Sequence, residues 1–422
     1  MNEPKLKFPE FSGEWEEKKL GECFELLTNS TLSRSDLNNI TGKALYIHYG
    51  DILTKFGETL DVQKMHLPYI TNDTIADKAC KSTLKNGDVI IADTAEDDMV
   101  GKCTEIRNIG ITPIVSGLHT IPVRPLIEFA SGFMGYYLNS ESYRADLYSL
   151  MQGVKVMSIS RTAIIGTNVK YPSLILEQEK IASCLSAMDD LIAAQAEKVE
   201  ALKEKKTGLM QQLFPQPSEK KPRLRFPEFT GEWEEKTLGE VSPVIFDGTH
   251  QTPHYVNSGI PFYSIENIVS DKPCKYIAQD EHMSNTKKNK TEKGDILITR
   301  IGTIGFAKIV DWDGEFSTYV SLATIKKSSL INTRYLLGYL QSEVYQKEMR
   351  SKSLMNAVPC KINMEDLKNT RIAFPKEPKE QQKIASCLSA LDDQIAAETE
   401  KLTALKDYKK GLMQQLFPQP AK

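Results

Sequence analysis

The chain has 422 residues, 40% hydrophobic and 26% charged, with 53 Lys and Arg against 56 Asp and Glu for a formal net charge of −3. That length predicts two or three domains, and the near-neutral balance excludes a protein that holds nucleic acid by bulk charge alone. No stretch approaches the ~18–20 apolar residues of a membrane span, the opening MNEPKLKFPEF has no secretory apolar core, and seven cysteines without a C-x-x-C pair argue for a reducing cytoplasm, without disulfides or a zinc cluster.

In chain order, residues 7–22 read KFPEFSGEWEEKKLGE, and Phe8, Phe11 and Trp15 are expected to pin the chain onto the core that follows. A variable segment covers residues 26–176. Early in it, residues 46–51 (YIHYGD) combine rings with polar groups, making Tyr46 and His48 candidate contacts. Asn86-Gly87-Asp88 is a turn before the β-branched run Val89-Ile90-Ile91, the pattern of a buried strand. A polar loop is expected at 93–98, a short helical pattern at 129–150 and a polar stretch at 153–161. That stretch supplies the candidates Lys155, Ser158, Ser160 and Arg161 before an extended run ends at Tyr171-Pro172.

Residues 177–213 hold no Pro and one Gly, and are rich in Ala, Leu, Lys, Glu and Gln, which predicts a helix of about ten turns and roughly 55 Å. Leu185, Met188, Ile192, Val199, Leu202, Leu209 and Leu213 keep a 3.5-residue spacing, the seam of a coiled coil. Pro215 and Pro217 stop it.

The pattern then restarts. Residues 225–240 (RFPEFTGEWEEKTLGE) echo the opening, with Phe226, Phe229 and Trp233 as the ring anchors. A second variable segment, 243–379, begins with FDGTHQTPHY at 246–255, where Asp247, Thr249, His250 and Gln251 are candidate hydrogen-bonding contacts; Asp247 and Thr249 equally suit closing a turn. His250 and His254 have no third ligand nearby, and Pro253 breaks the helix a metal pair would need. Lys287, Lys288, Lys290 and Lys293 form a basic cluster that suits phosphate or a solvated face. Gly294-Asp295 precedes the strand Ile296-Leu297-Ile298, as Gly87-Asp88 does in the first half. Thr299 and Arg300 close that strand, and Gly302-Thr303-Ile304-Gly305 turns after it. An Arg at that place suits guanine O6 and N7, a phosphate, or a surface ion pair. A helical pattern at 333–349 and a polar stretch at 356–363, with Lys361 and Asn363 as candidates, lead to Phe374-Pro375. Residues 380–420 then repeat 177–217 without a gap at about three quarters identity, and Pro418 and Pro420 stop the second helix.

Internal repetition on this scale points to two halves on one frame. Pairing the long helices antiparallel, with facing residue numbers summing to 604, sets Lys206 against Glu398 and Gln195 against Lys409, so every polar layer meets a polar partner. The expected fold class is therefore α+β: two mixed α/β domains joined by two long helices in an intramolecular antiparallel coiled coil with a pseudo-twofold axis. The helices would form a rod setting the spacing of the domains. The expected divisions are 1–176, 177–217, 218–379 and 380–422. No P-loop, dinucleotide fingerprint, nucleophile elbow or HExxH pair occurs, which argues against catalysis by this chain.

Taken with those motifs, the whole chain resembles the specificity subunit of type I restriction-modification enzymes. The resemblance rests on the doubled helix with its EQ-x-KIA starts at Glu177 and Glu380 and on the LGE openings at Leu20 and Leu238. DGTH at 247–250, GIPF at 259–262, and KGDIL with TR and GTIG at 293–305 add to it. The near-identical repeats resemble a staphylococcal-type member. The resemblance implies that each variable half is a target recognition domain reading part of a bipartite double-stranded DNA site. It also implies two DNA adenine methyltransferase subunits as partners, optionally two restriction subunits, and S-adenosylmethionine, ATP and magnesium bound on those partners with none on this chain. The first half departs from the pattern, with Asp93-Thr94-Ala95 where the second has Arg300-Ile301-Gly302. A coiled-coil scaffold joining two modules that do not bind DNA is the alternative.

Overall fold

The computed structural model describes residues 3–217, 219–242 and 244–419. Pro243, the expected start of the second variable segment, and Pro420, an expected helix stop, lie outside them. The chain divides into two compact units, Met1–Ala196 with Lys401–Lys422, and Glu197–Glu400.

The first unit holds a five-stranded sheet in the order Phe24–Leu26, Thr120–Pro125, Val89–Ala92, Cys103–Arg107, Thr59–Asp61, antiparallel except for the last pair. A four-stranded sheet runs Ile114–Ser116, Leu45–Ile47, Tyr69–Ile70, Leu37–Asn38, its first pair parallel. The second unit repeats the plan. One sheet runs Ile245–Asp247, Leu322–Ile325, Ile296–Thr299, Ala307–Ile309; the other runs Tyr255–Val256, Lys275–Ile277, Ile260–Tyr263, Ser317–Thr318, its last pair parallel. Each unit is thus α+β, with two larger sheets beside shorter two-stranded pairs. The expected helical patterns each become two short helices, Phe133–Asn139 with Glu141–Tyr148, and Thr333–Gln341 with Glu343–Lys352. Ser140 and Ser342 make the break by donating their hydroxyls back to the carbonyls of Tyr137 and Tyr339, both at 2.6 Å.

The Gly-Asp landmark has a physical reason in both units. Gly87 and Gly294 sit at φ +88° and +92°, the left-handed region glycine tolerates. The aspartate after each is fully buried. Asp88 Oδ2 takes the Lys85 N–H at 2.7 Å and Asp295 Oδ2 the Glu292 N–H at 2.7 Å. Their charges are met by Arg124 at 2.7 Å and Lys326 at 2.7 Å. Removing either cation would leave a buried carboxylate unpaired, a loss of about 3–5 kcal/mol.

The ring anchors also behave alike. Trp15 Nε1 reaches Glu177 at 3.4 Å and Trp233 Nε1 reaches Glu380 at 3.3 Å, joining each opening segment to the start of the long helix that follows. Gln178 and Gln381 each donate at 2.8 Å to the carbonyl of the proline before the helix, Pro172 or Pro375.

The long helices span Ile175–Leu213 and Pro378–Leu416. Each ends on a phenylalanine that leaves the helix and enters a core. Phe417, fully buried, meets Trp15, Phe133 and Tyr137 in the first unit at 5.7–6.2 Å. Phe214, also fully buried, meets Tyr335 and Tyr339 in the second at 5.3–5.7 Å. The last residues of the chain are therefore core of its first half. In the second unit Lys206 pairs with Asp392 at 2.5 Å and Lys198 with Glu398; in the first, Lys409 pairs with Asp189 at 2.5 Å. The lysines expected to meet Glu398 and Gln195 are thus paired with Asp392 and Asp189. Lys206 is partly buried and meets a carboxylate. Its long stem reaches the Asp392 carboxylate.

Candidate nucleic-acid interface

In both units the loop after the central strand is held by matching backbone bonds. Asp93 N–H donates to His119 O (3.1 Å) and Ile159 N–H to Asp93 O (2.9 Å); Arg300 N–H donates to Ser321 O (2.9 Å) and Ile362 N–H to Arg300 O (2.9 Å). Asp93 and Arg300 therefore occupy one position of a common frame. The side chains displayed there differ in charge.

In the second unit three segments converge on Arg300. Its guanidinium donates to Asp247 at 2.9 Å and to Val320 O at 3.1 Å, and His250 Nε2 lies 3.0 Å from the same Asp247 oxygen. Arg300 is only 7% exposed and packs under the loop, where it forms an ion pair with Asp247, one of the three roles its position suggested. Thr299 is likewise a core residue, its hydroxyl accepting the Phe306 N–H at 2.9 Å. Exposed groups remain around this pair: His250, Gln251, Thr303, Lys361 and Asn363. Lys361 is bridged by backbone to Ile301, and Asn363, just before the helix Met364–Lys368, donates its amide to Asp366 Oδ2 at 3.2 Å. Thr249 Oγ1 accepts the Gln251 N–H at 3.3 Å, so the turn-closing role holds for this residue. Of the basic cluster, Lys290 and Lys293 are paired with Glu315 and Asp313, while Lys287 and Lys288 are exposed. Lys288 shares a cleft of about 220 Å³ with Asp247 and Thr249. A second cleft, about 600 Å³, is lined by Tyr255, Asn267, Lys275, Gly302, Tyr319 and Ser321 among others. The Ser321 hydroxyl and Arg300 Nε are buried and have no hydrogen-bond partner among the described residues.

The first unit assembles a different set. Thr94 Oγ1 bonds Asp93 at 2.7 Å and lies 3.4 Å from His119 Nδ1, and His119 holds φ +56°, a strained value for a non-glycine residue. Tyr49 stacks edge-on against His119 at 5.3 Å. Ser158 pairs with Thr94 across a two-stranded ribbon, so the expected polar loop at 93–98 begins as a strand. Ser160 caps the helix Arg161–Ile165, Arg161 donates to Asn29 at 2.5 Å, and Lys155 is exposed.

Tyr46 and His48 both lie inward. Tyr46 is fully buried, donating to Leu32 O at 2.7 Å and accepting the Leu118 N–H at 2.9 Å, so its hydroxyl is spent inside the core. His48 accepts the Gly50 N–H at 3.0 Å, and burial, with the nearby Arg34 charge, pushes its pKa down. Their segment corresponds to 260–263 of the second unit. The strand Leu45–Ile47 pairs parallel with Ile114–Ser116 as Ile260–Tyr263 pairs with Ser317–Thr318. The counterpart of Thr249 is Ser30: Ser30 N–H donates to Ser116 O at 2.8 Å and Thr249 N–H to Thr318 O at 2.9 Å. Sequence reading thus missed Asn29, Ser30, Thr94 and His119, and only the sheet register exposes them. Among the described residues no group of three or more His, Cys, Asp or Glu side chains is placed to hold a metal ion, and no helix is long and apolar enough to cross a membrane.

Comparison with known proteins places this geometry. The family model described as the type I restriction modification DNA specificity domain matches residues 12–204 and 230–407. The chain is 24% identical to a putative type I restriction enzyme MjaX specificity subunit of Methanocaldococcus jannaschii, covering 99% of this chain and 96% of the relative. It is 26% identical to the MjaVIII specificity subunit of the same organism over 59% of this chain and 61% of that one. The S subunit of a type I restriction-modification system from M. genitalium shares the fold with a TM-score of 0.56 at 18% identity, covering 99% of this chain and all of that one. A chain from a structure of type I R-M complex assembly and conformational transition gives 0.59 at 18%, covering 96% and 97%. With two copies of the domain along most of its length, the chain belongs to the type I restriction modification DNA specificity family.

Proposed function

We infer that this chain is the DNA-specificity subunit of a type I restriction-modification complex, each unit reading one part of a bipartite site and the chain itself performing no catalysis. The observation that carries this reading is the common frame with exchanged chemistry. The same backbone bonds hold Asp93 and Arg300, while Asp93, Thr94 and His119 stand in one unit where Arg300, Asp247 and His250 stand in the other. A scaffold kept constant under differing polar groups suits two different base sequences, since bases are distinguished by donor and acceptor pattern. Asn29, Ser30, Ser158, Lys155 and His119 in the first unit, and His250, Gln251, Thr303, Lys361 and Asn363 in the second, are the proposed DNA-facing groups. Lys287 and Lys288 are proposed phosphate contacts.

The long helices are proposed to pair antiparallel as an intramolecular coiled coil with a pseudo-twofold. Support comes from the salt bridges Lys206–Asp392 and Lys409–Asp189, which exchange under the 203-residue offset of the repeat. Such a frame offers equivalent surfaces to two adenine methyltransferase subunits, with restriction subunits optional. S-adenosylmethionine, ATP and magnesium then belong to those partners. Exchange of residues 26–176 for another family member's segment is expected to change one half of the methylated sequence, and change in both halves or neither refutes modular reading. A scaffold that never touches DNA would show no salt-dependent shift of duplex DNA when mixed with its methyltransferase partner.

A further inference from the structure

The first unit has a strand with no counterpart among the described residues of the second. After the helix Tyr49–Thr54, the strand Thr59–Asp61 pairs parallel with Cys103–Arg107 and closes that edge of the sheet. Glu105 N–H donates to Glu58 O at 3.0 Å and Val62 N–H to Arg107 O at 3.1 Å. In the second unit the matching helix, Ile265–Ser270, passes through residues 271–274 straight into Lys275–Ile277, and the sheet ends on Ala307–Ile309. Backbone bonds fix the correspondence. Gly294 N–H to Val310 O and Val310 N–H to Asp295 O repeat Gly87 to Ile106 and Ile106 to Asp88, so Ile309 stands where Glu105 stands. Because Val310 turns its N–H inward, Ile309 turns its N–H and carbonyl outward across the open edge.

Beside this edge lies a cavity of about 380 Å³ bordered by Lys308, Leu337, Gly338, Lys206 and Asp392. The ion pairs show what it lacks. Lys409, the repeat mate of Lys206, holds two carboxylates, Asp189 at 2.5 Å and Glu58 at 2.7 Å. Lys206 holds one, Asp392 at 2.5 Å, with Gln341 Oε1 at 3.4 Å. The missing carboxylate is Glu58, the residue just before the covering strand in the first unit.

We propose that the open edge of Ala307–Ile309 docks an extended, carboxylate-bearing segment of a partner protein, which adds a parallel strand and places its carboxylate on Lys206. An unpaired edge is a ready template for strand addition, and the first unit displays the filled form within the same chain. A second copy of this chain is not the donor, because its own segment is committed: Phe56 and Leu60 are 4% and 1% exposed in the first unit's core. The proposal is independent of the DNA-reading function.

The test titrates the full chain into a labelled peptide of residues 55–62, KFGETLDV, following anisotropy and the hydrogen exchange of the Ile309 amide. Saturable binding with a Kd below about 1 mM and slowed Ile309 exchange are expected. The peptide with Glu58→Gln, and the chain with Lys206→Met, should each weaken binding about five- to tenfold and show no further loss together. A chain carrying residues 55–68 inserted after Asp271 covers its own edge and should bind nothing. Absence of saturation by about 1 mM, unchanged Ile309 exchange, or indifference to both charge changes overturns the proposal.

Discussion

Replacing Phe417 by alanine should unfold the first unit, although the residue lies within six positions of the chain's far end. Its ring is fully buried and touches Trp15 at 6.2 Å, Phe133 at 6.0 Å and Tyr137 at 5.7 Å, so truncation removes apolar burial and three ring contacts and leaves a cavity. Buried Phe→Ala changes cost about 3–5 kcal/mol. For a unit of roughly 220 residues, each kcal/mol moves Tm by about 2–4 °C, so the expected fall is about 6–20 °C. Hydrogen exchange by mass spectrometry, resolved by peptide, reads which half loosens. Protection should drop in Val89–Ala92 and Thr120–Pro125 and hold in Ile296–Thr299 and Leu322–Ile325. Phe214→Ala should give the mirror result, because that ring packs on Tyr335 and Tyr339. Loss of protection in the second unit on Phe417→Ala, or a stability change under about 1 kcal/mol, refutes the claim that the chain's end is core of its first half.

Three further outcomes are expected. Burial, opposed by N–H groups of Gly132 and Gly135, pushes the Glu105 pKa up from its ordinary 4.5 to about 7. The folded protein therefore holds this proton more tightly. Its stabilising contribution is complete below pH 4.5 and is lost as pH rises through about 7; urea midpoints at about pH 5 and 8 should converge in Glu105→Gln, and an unchanged slope counts against it. Arg300→Ala and Asp247→Asn break one ion pair from its two ends, so both should cost about 1.5–3 kcal/mol and relax readout of the same half-site in competition binding; relaxation by Arg300→Ala alone would restore Arg300 as a base contact. Lys287→Ala and Lys288→Ala should each lower the slope of log K against log salt by about 0.9 without altering sequence preference.

Particular residues show how far the sequence reached. The repeat, the long helices, the Gly-Asp turns and the family were legible because each depends on short-range pattern. Heptads, left-handed glycines and strand runs are written within a few residues of one another. The pairing of Lys206 with a carboxylate was equally legible, since a lysine on a helix seam is stabilised by one. Which carboxylate was not: Lys206 reaches Asp392, a residue 186 positions away. Arg300, at a strand end, suited a base, a phosphate or an ion pair alike, and only the approach of Asp247 and Val320 shows it in the ion pair. Tyr46 matched a polar motif by position along the chain, yet the parallel pairing of its strand puts it in the core. Sequence by itself determined that one frame occurs twice and carries two divergent displays. The tertiary structure decided which residues of each display face outward, because facing is set by strand register and long-range packing that no local spacing encodes.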